Sequence, residues 1–313
     1  MTNHLFRAFL FFLLIGITGM AASAEADIKF SDKELYPEGI TFDVNADQFL
    51  VSSMRHGKIG RVGRDGVYHT FINDPILVSS VGMHIDPARN WLLVAVSDPG
   101  VAISTKKETQ AKLAGLAVYD IKSGKRLAYH DLGRLSEGGH FANDITVDAE
   151  GNIYVTDSFS PIVYRIGKQG KPSIFVQSDH FKGEGFNLNG IIYHHNGYLI
   201  VGKSNSGELF KISMKGDVSI IKIQQNFIGN DGLVLEQDGS LVVIQNSGEV
   251  SRLVSSDNWN SALMAGSVKS GLEFLTTGVV VGSSLYVLNA KLGELFDPKA
   301  KKGDNFSIHH IQF

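Results

Sequence analysis

The sequence predicts an all-β fold, a six-bladed β-propeller of four-stranded antiparallel blades, on three observations. One segment pattern recurs six times, each copy reads as a hairpin, and the copies are spaced at about the length of one blade. The copies are PEGITFDVNADQFLVSS (37 to 53), SVGMHIDPARNWLLVAVSD (80 to 98), ANDITVDAEGNIYVTDS (142 to 158), LNGIIYHHNGYLIVGKS (188 to 204), NDGLVLEQDGSLVVIQNS (230 to 247) and TTGVVVGSSLYVLNA (276 to 290). Within each, a short alternating run, a turn and a second run rich in Val, Leu, Ile and Tyr mark two strands. Turn sequences such as Ala149-Glu150-Gly151-Asn152 and Gln237-Asp238-Gly239-Ser240 supply the Gly or Asn that accepts positive φ.

A second strand pair follows five of the copies, around Arg64-Asp65-Gly66, Lys122-Ser123-Gly124, Lys168-Gln169-Gly170, Lys215-Gly216-Asp217 and, more weakly, between 250 to 254 and 262 to 265. Gly39, Gly82, Asp144, Gly190, Gly232 and Gly278 are separated by 43, 62, 46, 42 and 46 residues, against roughly 40 to 50 for a four-stranded blade. The long interval holds an insertion between the second and third strands of blade two, residues 99 to 115. It is expected on the hub face, either as a lid or as a surface loop. Blade six has its inner hairpin and the stretch 306 to 313 but lacks a fourth strand. Residues 28 to 30 are expected to supply it and so hide an edge.

Residues 1 to 24 carry Arg7, an apolar run from Ala8 to Met20 and the small-x-small site Ala22-Ser23-Ala24. They read as a secretory signal peptide, leaving 25 to 313 as the propeller domain. The run falls short of the roughly 20 residues of a spanning helix, so no membrane span is expected after cleavage. The protein is then exported, to the periplasm or the exterior, and is expected to be a monomer. Cleavage leaves 28 of the 29 Lys and Arg against 32 Asp and Glu, which offers no basic footprint for nucleic acid. With no cysteine in the chain, disulfides, thiol catalysis and Cys-ligated zinc are excluded.

Inner strands of a propeller converge, so equivalent positions of the copies form a ring at the hub: Glu38, Val81, Asn143, Asn189, Asp231 and Thr277. Glu38, Asn143, Asn189 and Asp231 offer two carboxylates and two carboxamides. That set suits a hard divalent cation, calcium first, with magnesium or manganese behind it. Neither Cys nor an aligned His supports zinc. Four protein donors leave coordination positions open, so the ion reads equally as a channel plug or as a catalytic centre.

The motifs Glu38-Gly39, Asn143-Asp144, Asn189-Gly190 and Asp231-Gly232, in register with a six-fold repeat, resemble those of the senescence-marker-protein, gluconolactonase and luciferin-regenerating-enzyme family. Paraoxonases and diisopropylfluorophosphatase are more distant relatives. The resemblance covers about 35 to 290. It implies that these four residues hold a catalytic divalent ion and that the reaction is hydrolysis of a small lactone or ester, reaching at times to phosphotriesters. In that frame Asp231 is ligand and catalytic carboxylate, as base or as nucleophile. The paraoxonase histidine position is occupied by Val81, which puts a His-based relay in doubt. No arginine matches those that hold sugar hydroxyls in the sugar-lactone relatives.

His140, three residues before Asn143, is the candidate auxiliary base, with a solvated loop histidine as the alternative. His84 is expected to pack within its strand, His194 and His195 to be solvated in a far turn, and His309 and His310 to lie away from the hub. Second-strand ends Ser53, Asp98, Asp157, Lys203, Asn246 and Asn289 are placed to bond the ligands or touch substrate. Val81, Thr277 and the blade-two insertion make that sector the expected seat of a substrate's apolar part. Two other functions stay open beside the lactonase or esterase: a non-enzymatic propeller binding a small ligand or protein over a structural ion, and a phosphotriesterase-like hydrolase.

Overall fold

A computed structural model describes residues 27–313 except residue 273. The signal segment expected at 1 to 24 lies outside the described residues. The described chain forms six four-stranded antiparallel sheets, in sequence order from the inner strand outward in blades one to five. Blade one comprises Ile40–Asp43, Gln48–Val51, Ile59–Val62 and Tyr68–Ile72, and blade two Ser79–Asp86, Trp91–Ser97, Ala114–Asp120 and Arg126–Asp131. Blade three is Ala142–Val147, Ile153–Asp157, Ile162–Ile166 and Pro172–Gln177, and blade four Leu188–His194, Tyr198–Lys203, Glu208–Ser213 and Val218–Ile220. Asn230–Leu235, Leu241–Gln245, Glu249–Val254 and Leu263–Lys269 make blade five. The weakly signalled outer pair of that blade is thus present.

Blade six is the one the chain must assemble from both ends. Leu275–Val281, Ser284–Asn289 and Asn305–Ile311 are joined by Ile28–Ser31, with Ile28 opposite Ile308 and Phe30 opposite Phe306. This is the closure expected from the missing strand, and it covers the edge that Asn305–Ile311 would otherwise present. Phe306 fixes it from inside the core, 6.0 Å from the Phe30 ring and 5.4 Å, edge-on, from Tyr36. Phe49 ties blade one to blade six by edge contacts with Phe42 at 4.9 Å and Tyr286 at 5.1 Å. Among the described residues, no helix is long and apolar enough to cross a membrane.

Five inner strands share an irregularity that the repeat alone does not reveal. Their pairing with the second strand slips between Ser80 and Met83, Ala142 and Ile145, Leu188 and Ile191, Asn230 and Leu233, and Leu275 and Gly278. In each, three steps on the inner strand oppose two on its partner, which is a one-residue β-bulge. A bulge bends its strand and re-aims a side chain. Here it turns Val81, Asn143, Asn189, Asp231 or the Thr276-Thr277 pair out of ordinary alternation at the hub.

Ring closure by an aromatic plug should be costly to undo. Phe306→Ala is expected to lower stability by about 3–5 kcal/mol, read as a fall in the urea midpoint at unchanged m-value.

Candidate functional site

At the hub the adjacent backbones come close enough that some positions have no room for a Cβ. One built on Gly39 would strike the Val81 carbonyl, on Gly82 the Asn143 carbonyl, on Gly190 the Asp231 carbonyl and on Gly232 the Thr277 side chain. This is why glycine follows so many hub residues: it lets each blade lean on the next. Blade three departs, with Asp144 where the others carry glycine. Its carboxylate accepts from the amides of Ile145 (2.9 Å) and Ile191 (3.2 Å), stitching blade three to blade four.

The structure brings Glu38, Asn143, Asn189 and Asp231 together on the floor of one cavity of ≈130 Å³. All four are buried. Supporting bonds orient them. Ser52 Oγ accepts from the backbone amides of Glu38 and Gly39, at 3.2 and 2.7 Å. Asn143 donates its amide to Ser158 Oγ at 2.9 Å, which turns its Oδ1 away from that partner. Asn246 donates to Asp231 Oδ2 at 2.6 Å and to the Leu275 carbonyl at 3.0 Å.

Two buried oxygens of this group, Glu38 Oε2 and Asn143 Oδ1, have no hydrogen-bond partner. Unpaired buried oxygens are costly, and here both belong to the four-oxygen set. Burial first, then the charges of Asp231 and Asp144, raise the Glu38 pKa well above the ordinary carboxylate range. Burial pushes Asp231 up to about 7 against the lowering hydrogen bonds of Asn246 and Asn189. Asp144 also rises to about 7 by burial, although its carboxyl touches the channel cavity beyond the ring. Unpaired oxygens and crowded acids are what a hard cation satisfies, so the residues fit a divalent ion. No trio of His, Cys, Asp or Glu arranged for a metal occurs among the described residues. Half of this donor set is carboxamide.

Apart from Ser204, the rest of the cavity lining is apolar. Phe141 from blade three, Phe186 from the loop before blade four, and Phe274, Leu292 and Phe296 around blade six form its wall with Met54. The apolar side was expected in the blade-two sector, and the structure corrects this. None of residues 99 to 113 lines the cavity. Asp98 accepts from Thr105 Oγ1 (2.7 Å) and Thr109 Oγ1 (2.6 Å), and its carbonyl accepts from Ala111 N (2.7 Å). The insertion is held to Asp98 and to the neighbouring connections, with Ile103 N donating to the Arg55 carbonyl (2.9 Å), Arg55 to the Val101 carbonyl (2.9 Å) and His140 N to the Ala111 carbonyl (3.0 Å), and it does not line the hub cavity. Val81 is fully buried, and Thr277 lines a second cavity of ≈330 Å³ further along the channel.

His140 is neither solvated nor on the cavity lining. Its ring is buried, with Nδ1 donating to Asp157 Oδ2 at 2.8 Å and Nε2 to the Ser136 carbonyl at 3.1 Å. Pairing with Asp157 raises its pKa. Asp157 also accepts from Tyr164 Oη (2.7 Å) and from the amides of Phe141, Phe159 and Ser160. The pair therefore fastens the loop that carries the Phe141 wall.

Of the second-strand ends, Asn246 bonds a ring residue, while Ser52 and Ser158, neighbours of Ser53 and Asp157, do so in their place. Lys203 is spent on the carbonyls of His180 and Lys182. His84 lines the channel cavity, and burial lowers its pKa to about 4. His195 is exposed as expected, but His194 is not. It is buried between His195 and Tyr198, with ring centroids 4.2 and 4.6 Å away, because stacking in the turn covers it. His309 pairs with Asp27 at 2.8 Å on the closing strand.

No family model matches the chain, and no curated protein matches it. Solved structures share its fold. The major allergen Mala s 1 of Malassezia sympodialis is 17% identical with a TM-score of 0.74, over 91% of this chain and 95% of that one. A luciferin-regenerating enzyme is 13% identical with a TM-score of 0.59, over 90% and 95%. Virginiamycin B lyase of Staphylococcus aureus is 12% identical with a TM-score of 0.60, over 92% and 99%. The chain is thus similar in fold to a member of the family its hub motifs resemble, to a lyase at about the same level, and to an allergen at a higher TM-score.

The crowded acids have a pH consequence. In metal-free protein, folded Asp231 and Asp144 hold protons up to about pH 7, whereas the unfolded chain releases them near the ordinary 3.8. The folded state binds more protons across that window, so its stability falls as pH rises from about 4 to about 7. Chemical denaturation in a chelator should show this decline, and Asp231→Asn should flatten it.

Proposed function

We propose that the protein is a divalent-metal-dependent hydrolase of lactones or esters, with calcium as the ion. The carrying observation is the buried set Glu38, Asn143, Asn189 and Asp231, two of whose oxygens lack partners, at the floor of a cavity open to a small molecule. When bound, a divalent ion supplies Lewis-acid polarisation of a carbonyl oxygen and offsets the charge that develops on it.

The chain's own residues do the rest. Asn246 holds one oxygen of Asp231 and leaves the carboxylate turned toward the cavity it lines, where it can take a proton from water or attack the carbonyl carbon. Burial pushes this carboxyl up to about 7 in the metal-free protein, and a bound cation would lower it again, so that Asp231 would meet the substrate as a carboxylate. The aromatic wall keeps bulk water from the floor, which strengthens charge interactions there. His140 acts at one remove, by holding the loop of Phe141. The signal-peptide features of 1 to 24 support export of the enzyme.

A panel of lactones, aryl esters and aryl phosphotriesters, run on chelator-stripped and calcium-restored protein, tests the reading. Calcium should raise the melting temperature and restore turnover. Asp231→Asn should lower kcat by about 10²–10⁴-fold, and Glu38→Gln should weaken calcium binding measured by calorimetry. Calcium-loaded wild type that hydrolyses no member of the panel would leave a binding propeller. Turnover of phosphotriesters alone would move the assignment to that chemistry.

A further inference from the structure

We infer that the substrate is a neutral molecule with an apolar, single-ring or alkyl body, selected by Phe186, Phe274 and Phe296, and not a polyhydroxylated or anionic one. The inference deepens the hydrolase reading and rests on it for the reaction, though not for the binding.

Three independent features carry it. The first is charge. The cavity contains the carboxylates of Glu38 and Asp231 and no Lys, Arg or His. The nearest second-strand cation, Lys203, is held by two backbone carbonyls. An anionic substrate would therefore find no side-chain counter-charge, and a row of hydroxyls would find few partners away from the floor. Desolvated polar groups left unpaired reject such a molecule strongly.

The second feature is the wall itself. Phe186 stands edge-on to Phe141 at 5.2 Å and to Phe296 at 6.3 Å, so the aromatics of blade three, the loop before blade four and blade six form one continuous surface. Phe296 remains 38% exposed at the mouth, which leaves apolar area for a ligand to cover. Its helix, Leu292–Phe296, is fixed by Lys302, whose ammonium donates to the carbonyls of Glu294, Leu295 (3.1 Å) and Asp297 (2.8 Å). The exposed ring is thus presented on a fastened element. The enclosed space of ≈130 Å³ is on the scale of a cavity that holds one benzene, about 150 Å³.

Backbone strain is the third. Phe274 has φ 58, in the left-handed region that glycine enters freely and a bulky side chain avoids. The conformation is held by bonds from Phe274 N to the Asn246 carbonyl (3.0 Å) and from Ala290 N to the Phe274 carbonyl (3.1 Å). Strain of this kind persists where the surroundings over-determine it, often at ligand sites. It aims an aromatic ring at the same cavity whose floor Asn246 supports.

The test compares three lactones on calcium-loaded protein: a δ-lactone bearing a pentyl chain, γ-butyrolactone and glucono-δ-lactone. The pentyl lactone should have the highest kcat/KM. Phe296→Ala and Phe186→Ala should each lower its ratio to γ-butyrolactone about tenfold, mainly through KM. Phe274→Gly, which relieves the backbone, should lower the same ratio. Calorimetry with the non-hydrolysable pentyl lactam and a polyhydroxylated lactam reads binding without turnover. Binding of the pentyl lactam alone, lost in Phe296→Ala, supports the inference even where no lactone is hydrolysed, and then only the hydrolase reading falls. Hydrolysis with no preference for the pentyl lactone, or a preference for glucono-δ-lactone, overturns the inference and leaves the hydrolase reading intact.

Discussion

Everything at the hub depends on how closely six inner strands can approach at one end. The carbonyls of Val81, Asn143 and Asp231 press on the glycines of the preceding blades so tightly that a methyl group would collide. In blades two to six a bulge at the same level of the inner strand accompanies this packing, while blade one reaches it without one. One constraint therefore does two things: it closes the ring, and it turns the residue before each tight position toward the axis. Sequence at that residue is free to vary without breaking the ring. Blades two and six use this freedom for Val81 and Thr276-Thr277, whereas the other four spend it on oxygen donors.

Concentrating carboxylates there works against stability. Glu38 and Asp231 are buried within one small cavity, Asp144 lies beneath, and each raises the cost of ionising another. The surrounding bonds relieve this only in part. Asn246 and Asn189 help Asp231, and two backbone amides help Asp144, but Glu38 Oε2 is left unpaired. A fold with no need of a charge at its axis could place valine at all six positions, as it does at 81. Two unpaired oxygens within one four-residue donor set are what the divalent ion proposed above would satisfy.

The ring and the blades were legible because both are periodic. Six copies in register announce the inner hairpins, and a four-membered oxygen set stands out against Val81 and Thr277. Even the closing strand at Ile28–Ser31 followed from counting strands. What has no period was not legible. Phe186, Phe274 and Phe296 sit in connections of different length, and only the tertiary fold brings them to one cavity. The insertion of blade two was long enough to suggest a lid, yet Asp98, two threonines and a backbone amide decide its path. His140 and His194 were misplaced for a related reason. A histidine in a loop or turn reads as solvated until a partner such as Asp157 or a stacked ring covers it.

The misplaced apolar sector sharpens how floor and wall cooperate. Had the insertion of blade two covered the hub, the cavity would have been roofed by a Lys- and Thr-rich segment able to meet anions and hydroxyls. Instead, polar groups are concentrated at the floor, where four oxygens and Asn246 converge, and apart from Ser204 the rest of the lining is aromatic or aliphatic. Such a division favours a molecule with one polar group to be brought to the floor and an apolar remainder to be held above it. Orientation then follows from burial alone, because reversing the molecule would strand its polar group among phenylalanines and its apolar body beside two carboxylates.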